Sequence, residues 1–363
     1  MSRLFILFGL TFVLCLPAQD LYVWQRSSST ALNNEIKKFY VQSSGRLFFL
    51  AGELENDGSV IVVKPPQAVD FRRACPVVRV HIKHMQKSPA QLAKIIKPLY
   101  EPWSKTNALQ IDLDAPESKL DYYCTLMQEL RKLLPAAELS ATVLPCHLKH
   151  TGAMKKLADA CNYYVLQVHG LTKEKNRWFI MDEKTARKAV RQAKALQKPF
   201  RIALPFYCHT VERDSLVQPD LYTVAELAKM HDQAIGFRLG VPGEAGTLDL
   251  ESVLQLLKGK YSPRLDIFWQ QQPNGAWYLM VRNQGFFPQK ISCRFILPED
   301  TVIMDMDIFA DGTLDRQKRI LNFMLPPAGT AKPYMWLRCT SKNDLNKAST
   351  FNINFTPEGE HTP

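Results

Sequence analysis

No window of this sequence beyond its first twenty residues is apolar for the roughly 20 residues that a membrane-spanning helix needs, so no transmembrane segment is expected. There is no G-x-G-x-x-G turn, no P-loop, no G-x-S-x-G elbow, no H-E-x-x-H pair and no catalytic-cysteine pattern. Those absences weigh against dinucleotide binding, nucleotide hydrolysis, serine esterase chemistry and zinc proteolysis. CxxC is missing too, and the cysteines stand far apart, so neither a zinc site nor a dense disulfide framework is indicated. Cys146 and His147 are adjacent, which on a strand sends their side chains to opposite faces and argues against a thiolate–imidazolium pair.

What is present is ample material for a core. Of 363 residues, 46% are hydrophobic and 22% charged, a globular composition with no sign of disorder, and the length predicts two domains or a large barrel with an appendage. Lys and Arg outnumber Asp and Glu by 46 to 35, a net +11 that suits nucleic acid or anionic envelope material.

The N-terminus favours the second of these. Arg3, an apolar stretch from Leu4 to Leu16 and a break at Pro17-Ala18 follow the layout of a secretory signal peptide, with cleavage expected after Ala18. Cys15 offers a lipoprotein alternative, disfavoured by the bulky Leu14 before it. An exported protein, periplasmic or extracellular, meets carbohydrate and cell surface more than nucleic acid. Seven cysteines remain after residue 18, an odd number that cannot pair fully within one chain. Cys293 and Cys339, both on strand-like segments, are the first candidates for a bridge.

Eight short β-forming runs begin at Leu21, Leu47, Val77, Ala108, Leu139, Tyr163, Phe200 and Ala234, with helical patterns such as Ser88–Tyr100, Lys119–Leu134, Glu183–Leu196 and Val224–Asp232 between them. Strand and helix alternating eight times over about 220 residues predict an α/β fold, a (β/α)8 TIM barrel over 19–262. An open doubly wound sheet would instead carry a glycine-rich phosphate turn. Beyond residue 262 strand-like runs separated by turn residues replace the helical pattern, predicting a small antiparallel β-sandwich over 263–350 and a loose tail over 351–363.

A barrel of this kind works at the C-terminal ends of its strands. There the fourth strand carries Asp112 and Asp114, at i and i+2 on one face and roughly 6.6 Å apart along an extended chain. Two like charges in a barrel mouth are either a proton-handling device or a structural pair held by hydrogen bonds. Gln167 and His169 share a face of the sixth strand. Other strand ends supply Trp24 with Arg26, Glu53, His81 with Lys83, Tyr207 with His209, and Arg238. Carboxylates, an amide, rings and bases on one rim make a carbohydrate-binding inventory. Asp112 and Asp114 are the catalytic candidates, and Trp24, Glu53, His81, Gln167, His169, Tyr207 and Arg238 the substrate-binding ones. No cofactor is called for. A metal held by His81, Asp112, Asp114 and His169 is compatible with a barrel mouth, but the spacing does not demand one.

Leu109–Pro116, Leu166-Gln167-Val168-His169-Gly170 and Tyr22-Val23-Trp24-Gln25-Arg26 resemble an exported bacterial family, a domain of unknown function that looks like a glycoside-hydrolase-type TIM barrel. The resemblance runs over roughly 20–240 and implies a fold without an activity. Asp112-Leu113-Asp114 is also similar to the D-x-D-x-E strand of chitinase-type hydrolases, in which the final Glu is the acid. Pro116 stands at that Glu's place, and Glu117 follows one residue late. Two functions are therefore expected: a hydrolase of an envelope or extracellular polysaccharide, or a barrel without catalysis that binds glycan or serves envelope assembly.

Overall fold

The computed structural model describes residues 18–355 apart from 176, 212–215, 242–245, 262–263, 285–289, 310–311 and 327–330, so the expected signal peptide, all but its last residue Ala18, lies outside the described residues. Eight parallel strands form the barrel: β1 Asp20–Val23, β2 Leu47–Leu54, β3 Ala74–Val80, β4 Ala108–Asp112, β5 Glu138–Val143, β6 Tyr163–Gln167, β7 Phe200–Pro205 and β8 Ala234–Phe237. Each pairs with the next, and β1 pairs with both β2 and β8, which closes the sheet on itself. The expected α/β barrel is therefore what the chain adopts.

The period of two in each strand divides its side chains between two cores. Inward positions hold Tyr22, Phe48, Cys75, Val77, Ala108, Tyr163, Val165, Ala203 and Ile235. Outward ones, among them Leu21, Phe49, Val78, Ile111 and Leu166, join the larger cluster beneath the helices. The helices are α1 Thr30–Gln42, α2 Pro89–Tyr100, α3 Leu120–Leu133, α4 Thr151–Ala160, α5 Glu183–Ala195, α6 Leu221–Met230 and α7 Leu250–Leu257. Their starts carry local signals: Ser88 and Gln91 make a capping box with Pro89 in the first turn, and Asp182, Asp220 and Asp249 accept from backbone N–H groups.

Alternation fails once, between β2 and β3. There a short strand, Val60–Val62, folds back on β2, and after Pro65-Pro66 only a 3-10 turn, Phe71–Arg73, precedes β3. Trp103 fills part of the space, its indole N–H donating to the Val63 carbonyl at 3.0 Å and its ring 5.3 Å from Phe49.

The second domain is two four-stranded antiparallel sheets. With β9 Arg264–Gln271, β10 Trp277–Gln284, β11 Lys290–Ile296, β12 Val302–Ile308, β13 Gly312–Asp315, β14 Ile320–Met324, β15 Ala331–Thr340 and β16 Thr350–Phe355, the orders are β9-β10-β15-β12 and β13-β14-β11-β16. Trp269, Leu279, Phe295, Leu321 and Leu337 are among the side chains buried between them. Two expectations need correction. Residues 351–355 are not tail: β16 pairs along β11, its Phe351 and Ile353 packing on the core, so the sandwich extends to 355. Nor do Cys293 and Cys339 pair. Both are free thiols on opposing sheets, about 10 Å apart in such packings, and a disulfide needs Cα atoms within about 7 Å.

The β1–β2 seam that closes the barrel depends on Gly45. A Cβ there would sit 1.9 Å from the Gln19 carbonyl oxygen and 2.8 Å from an Asp20 carboxylate oxygen, which itself accepts from the Arg46 N–H. Gly45→Ala is expected to cost roughly 1–3 kcal/mol or more, as overpacking does. Chemical denaturation checks this, and an unchanged midpoint would mean the seam is slack.

Candidate functional site

Pairing register brings the acidic residues of the mouth together with bases. Glu53 on β2 is opposite Arg79 on β3, and Arg79 is opposite Asp112 on β4, so an acid, a base and an acid stand side by side on three neighbouring strands. Glu53 is 2% exposed, and burial of a carboxylate demands partners. It has two: Arg79 at 3.3 Å and Arg26, which also reaches Glu55 at 2.5 Å.

Asp112 is half-buried at the end of β4, while Asp114 beyond it is exposed at the mouth. Burial, then the charge of Asp114, pushes the Asp112 carboxyl up to about 7, against a hydrogen bond from Thr142 and the positive charge of Arg79. Partial desolvation at the rim raises the Asp114 carboxyl too, opposed chiefly by Arg79. Asp112, the more deeply buried of the two, is thus the carboxyl that keeps its proton toward neutral pH. Beneath it, the Gln110 amide nitrogen donates to the Tyr22 hydroxyl at 2.7 Å and the Thr142 hydroxyl at 3.0 Å, leaving the Thr142 O–H for Asp112.

The loop that carries Asp114 is fixed from below. His147 is fully buried; its Nδ1 accepts from the Leu144 N–H at 3.2 Å, so Nε2 carries the hydrogen and donates to the Ala115 carbonyl at 2.7 Å. Burial lowers its pKa, which keeps the ring neutral. Cys146 and His147 do diverge, one exposed and one buried, but on a 3-10 turn, Pro145–Lys149, rather than a strand.

Across the mouth stands an aromatic wall centred on Phe237. Tyr22, Trp24, His169 and Tyr207 all place their rings 5.1–5.4 Å from it. His169 Nδ1 lies 3.1 Å from the Tyr207 hydroxyl, and burial pushes the imidazole down to about 3, so it stays neutral at physiological pH. Its Nε2 is buried with no hydrogen-bond partner among the described residues. Tyr22 joins the two walls, its ring on Phe237 and its hydroxyl on Gln110.

Of the residues expected from sequence, Glu53, Asp112 and Asp114 belong to the charged wall, and Trp24, His169 and Tyr207 to the aromatic one. Gln167 lies at the end of β6, its amide donating to the His169 carbonyl at 3.1 Å. Arg238 follows Phe237 at the end of β8. His81, at the end of β3, accepts from the Lys83 N–H at 3.3 Å through Nδ1 and so caps the Ile82–Gln86 turn. Glu117 pairs with Lys149 and His150, each at 2.6 Å, and both lower its pKa, which makes it a settled anion rather than an acid. Among the described residues no group of three or more His, Cys, Asp or Glu side chains is placed to hold a metal ion. No described helix is long and apolar enough to cross a membrane.

A family model described as "Domain of unknown function (DUF3142)" matches residues 70–221, a stretch that contains Arg79, Asp112, Asp114, His169 and Tyr207 but not Trp24, Glu53 or Phe237. No curated protein matches the chain. Among solved structures the chain is similar to active domain 2 of chitinase from Pyrococcus furiosus, at 11% identity over 68% of this chain and 98% of that one, TM-score 0.43. It is similar also to the spore cortex-lytic enzyme SleL of Bacillus megaterium QM B1551, at 11% identity over 85% and 64%, TM-score 0.40. A third is a class V chitinase from Pseudomonas fluorescens Pf-5, at 10% identity over 75% and 84%, TM-score 0.40.

A carboxyl whose folded pKa lies above its unfolded one stabilises least when ionised: stability is full below about 4 and falls as pH rises through about 7. Asp112→Asn removes that penalty. The variant is expected to unfold at higher denaturant than wild type at pH 8, with the gap closing toward pH 4. A gap independent of pH would show that Asp112 is not held protonated.

Proposed function

We propose that the protein is an exported glycoside hydrolase acting on an envelope or extracellular polysaccharide, periplasmic or outside the cell. One observation carries the reading: two carboxyls, Asp112 and Asp114, stand together at a barrel mouth that also holds the aromatic wall, with Asp112 pushed up by burial. Sugar rings offer apolar faces for Trp24, Tyr207 and Phe237 and hydroxyls for Gln167 and the charged row. Glycosidic cleavage needs an acid still protonated at working pH and a carboxylate that stabilises positive charge at the sugar carbon.

Asp114, the outer carboxyl, reaches the glycosidic oxygen, and Asp112 stores the proton. A sugar covering Asp114 strips its water, raises its proton affinity and so favours moving the proton from Asp112 to Asp114. Asp112, now ionised beside Arg79, then supports the developing cation. Glu53 is held between Arg26 and Arg79 and acts through Arg79 on the pair.

A second reading, a glycan-binding or envelope-assembly barrel without turnover, is favoured by Pro116 at the place of the chitinase-type acid and by the capture of Glu117 by Lys149 and His150. A screen of the purified protein on peptidoglycan, chitin-like and plant glycans separates the two. The hydrolase reading expects cleavage of one of them, a rate that falls as pH rises above about 7, and a loss of roughly 10²–10⁴ in kcat for Asp114→Asn. Cleavage by Asp114→Asn at the wild-type rate would overturn the assignment, and glycan binding with no turnover would establish the second reading.

A further inference from the structure

The chain's positive charge is not spread evenly. Residues 171–198 hold nine Lys and Arg against three Asp and Glu, so 28 residues supply +6 of the net +11. This segment is α5 with the hairpin before it, whose strands are Thr172–Glu174 and Arg177–Phe179. α5 buries Ala186, Ala189, Val190 and Ala193 against the barrel and turns Lys184, Lys188, Arg191 and Lys194 to solvent. Spacings of four, three and three residues set these cations in one row about 15 Å long. Arg187 is spent on Glu183 and Lys198 on Asp159, but among the described residues no ion pair engages the four of the row.

The row leads to the mouth. The hairpin follows His169 directly, the Gly170 N–H donates to the Ile180 carbonyl at 2.8 Å to close its base, and Lys173, Lys175 and Arg177 are exposed on it. Trp178 is half-buried there, with the Lys173 ammonium 5.0 Å from its ring centroid.

We propose that α5 and this hairpin bind an acidic polysaccharide, a chain with one carboxylate on each sugar, and lead it to the barrel mouth. A single file of cations with one step per helical turn suits a linear polyanion. A lipid surface fits less well, because a helix lying on a membrane directs its apolar face to the acyl chains, and here that face is buried on the barrel. That the polymer is a glycan rests on the carbohydrate reading of the mouth; that the strip binds a linear polyanion does not.

The test is retention of the full chain by immobilised polygalacturonate, with dextran and vesicles of phosphatidylglycerol as comparison probes. Retention on polygalacturonate, lost as salt is raised, and none on dextran are expected. The triple variant Lys184→Glu/Lys188→Glu/Arg191→Glu should bind roughly tenfold more weakly or worse, and the Gln triple should fall between it and wild type, with thermal unfolding midpoints near that of wild type. Equal binding by wild type and both triples would overturn the proposal, as would capture by the vesicles without capture by the polymer. Asp112→Asn, which cripples the proposed chemistry, should leave retention intact; loss of retention in that variant would place the polymer at the mouth and not on the strip.

Discussion

A closed parallel barrel sends every second side chain inward, and the register between neighbouring strands alone decides which inward groups meet. At this mouth the register sets Glu53, Arg79 and Asp112 abreast. The rest of the site follows from that row. Glu53 can be buried because Arg26 and Arg79 answer its charge. Arg79 is thereby divided between Glu53 and the two aspartates and cannot fully offset either of them. Asp112, half-buried beside Asp114, then gains by keeping a proton. A slip of one residue would turn Arg79 out toward the helices, leaving Glu53 with Arg26 alone and Asp112 without a cation beside it.

The barrel was legible because its evidence is repeated: eight β-forming runs with helical periods between most of them state one architecture many times. Each exception has a local cause. Between β2 and β3 the strand Val60–Val62, the Pro65-Pro66 pair and a 3-10 turn at Phe71–Arg73 stand in the place of a helix. β12, which the alternation does not reveal, shifts register between Ile303 and Asp305, so a bulge breaks the period of two. β16 is polar enough to read as tail and is held by its pairing with β11.

For the site, sequence pointed to the aspartates and most of the rings but not to their partners. Arg79 was signalled only by its inward parity with Cys75 and Val77, and Phe237 only by its parity with Ile235. Gln110 and His147 act through hydrogen bonds across the fold, to Tyr22 and Thr142 and to the Ala115 carbonyl, which no local pattern encodes. His81 caps the turn after β3 through Nδ1, a local task that its place at a strand end does not reveal. The overall charge misled. The mouth mixes acids and bases closely, and more than half of the positive excess lies along α5 and its hairpin instead.

The central claim is that burial beside Asp114, only partly answered by Arg79, leaves Asp112 holding its proton toward neutral pH. Carbon-13 labelling of the aspartate carboxyls and an NMR titration of the whole protein measure this directly. The account predicts one carboxyl resonance that titrates near 7 and disappears in Asp112→Asn, and an upward shift of that titration in Arg79→Gln. A spectrum in which every aspartate is ionised by pH 5 would contradict it.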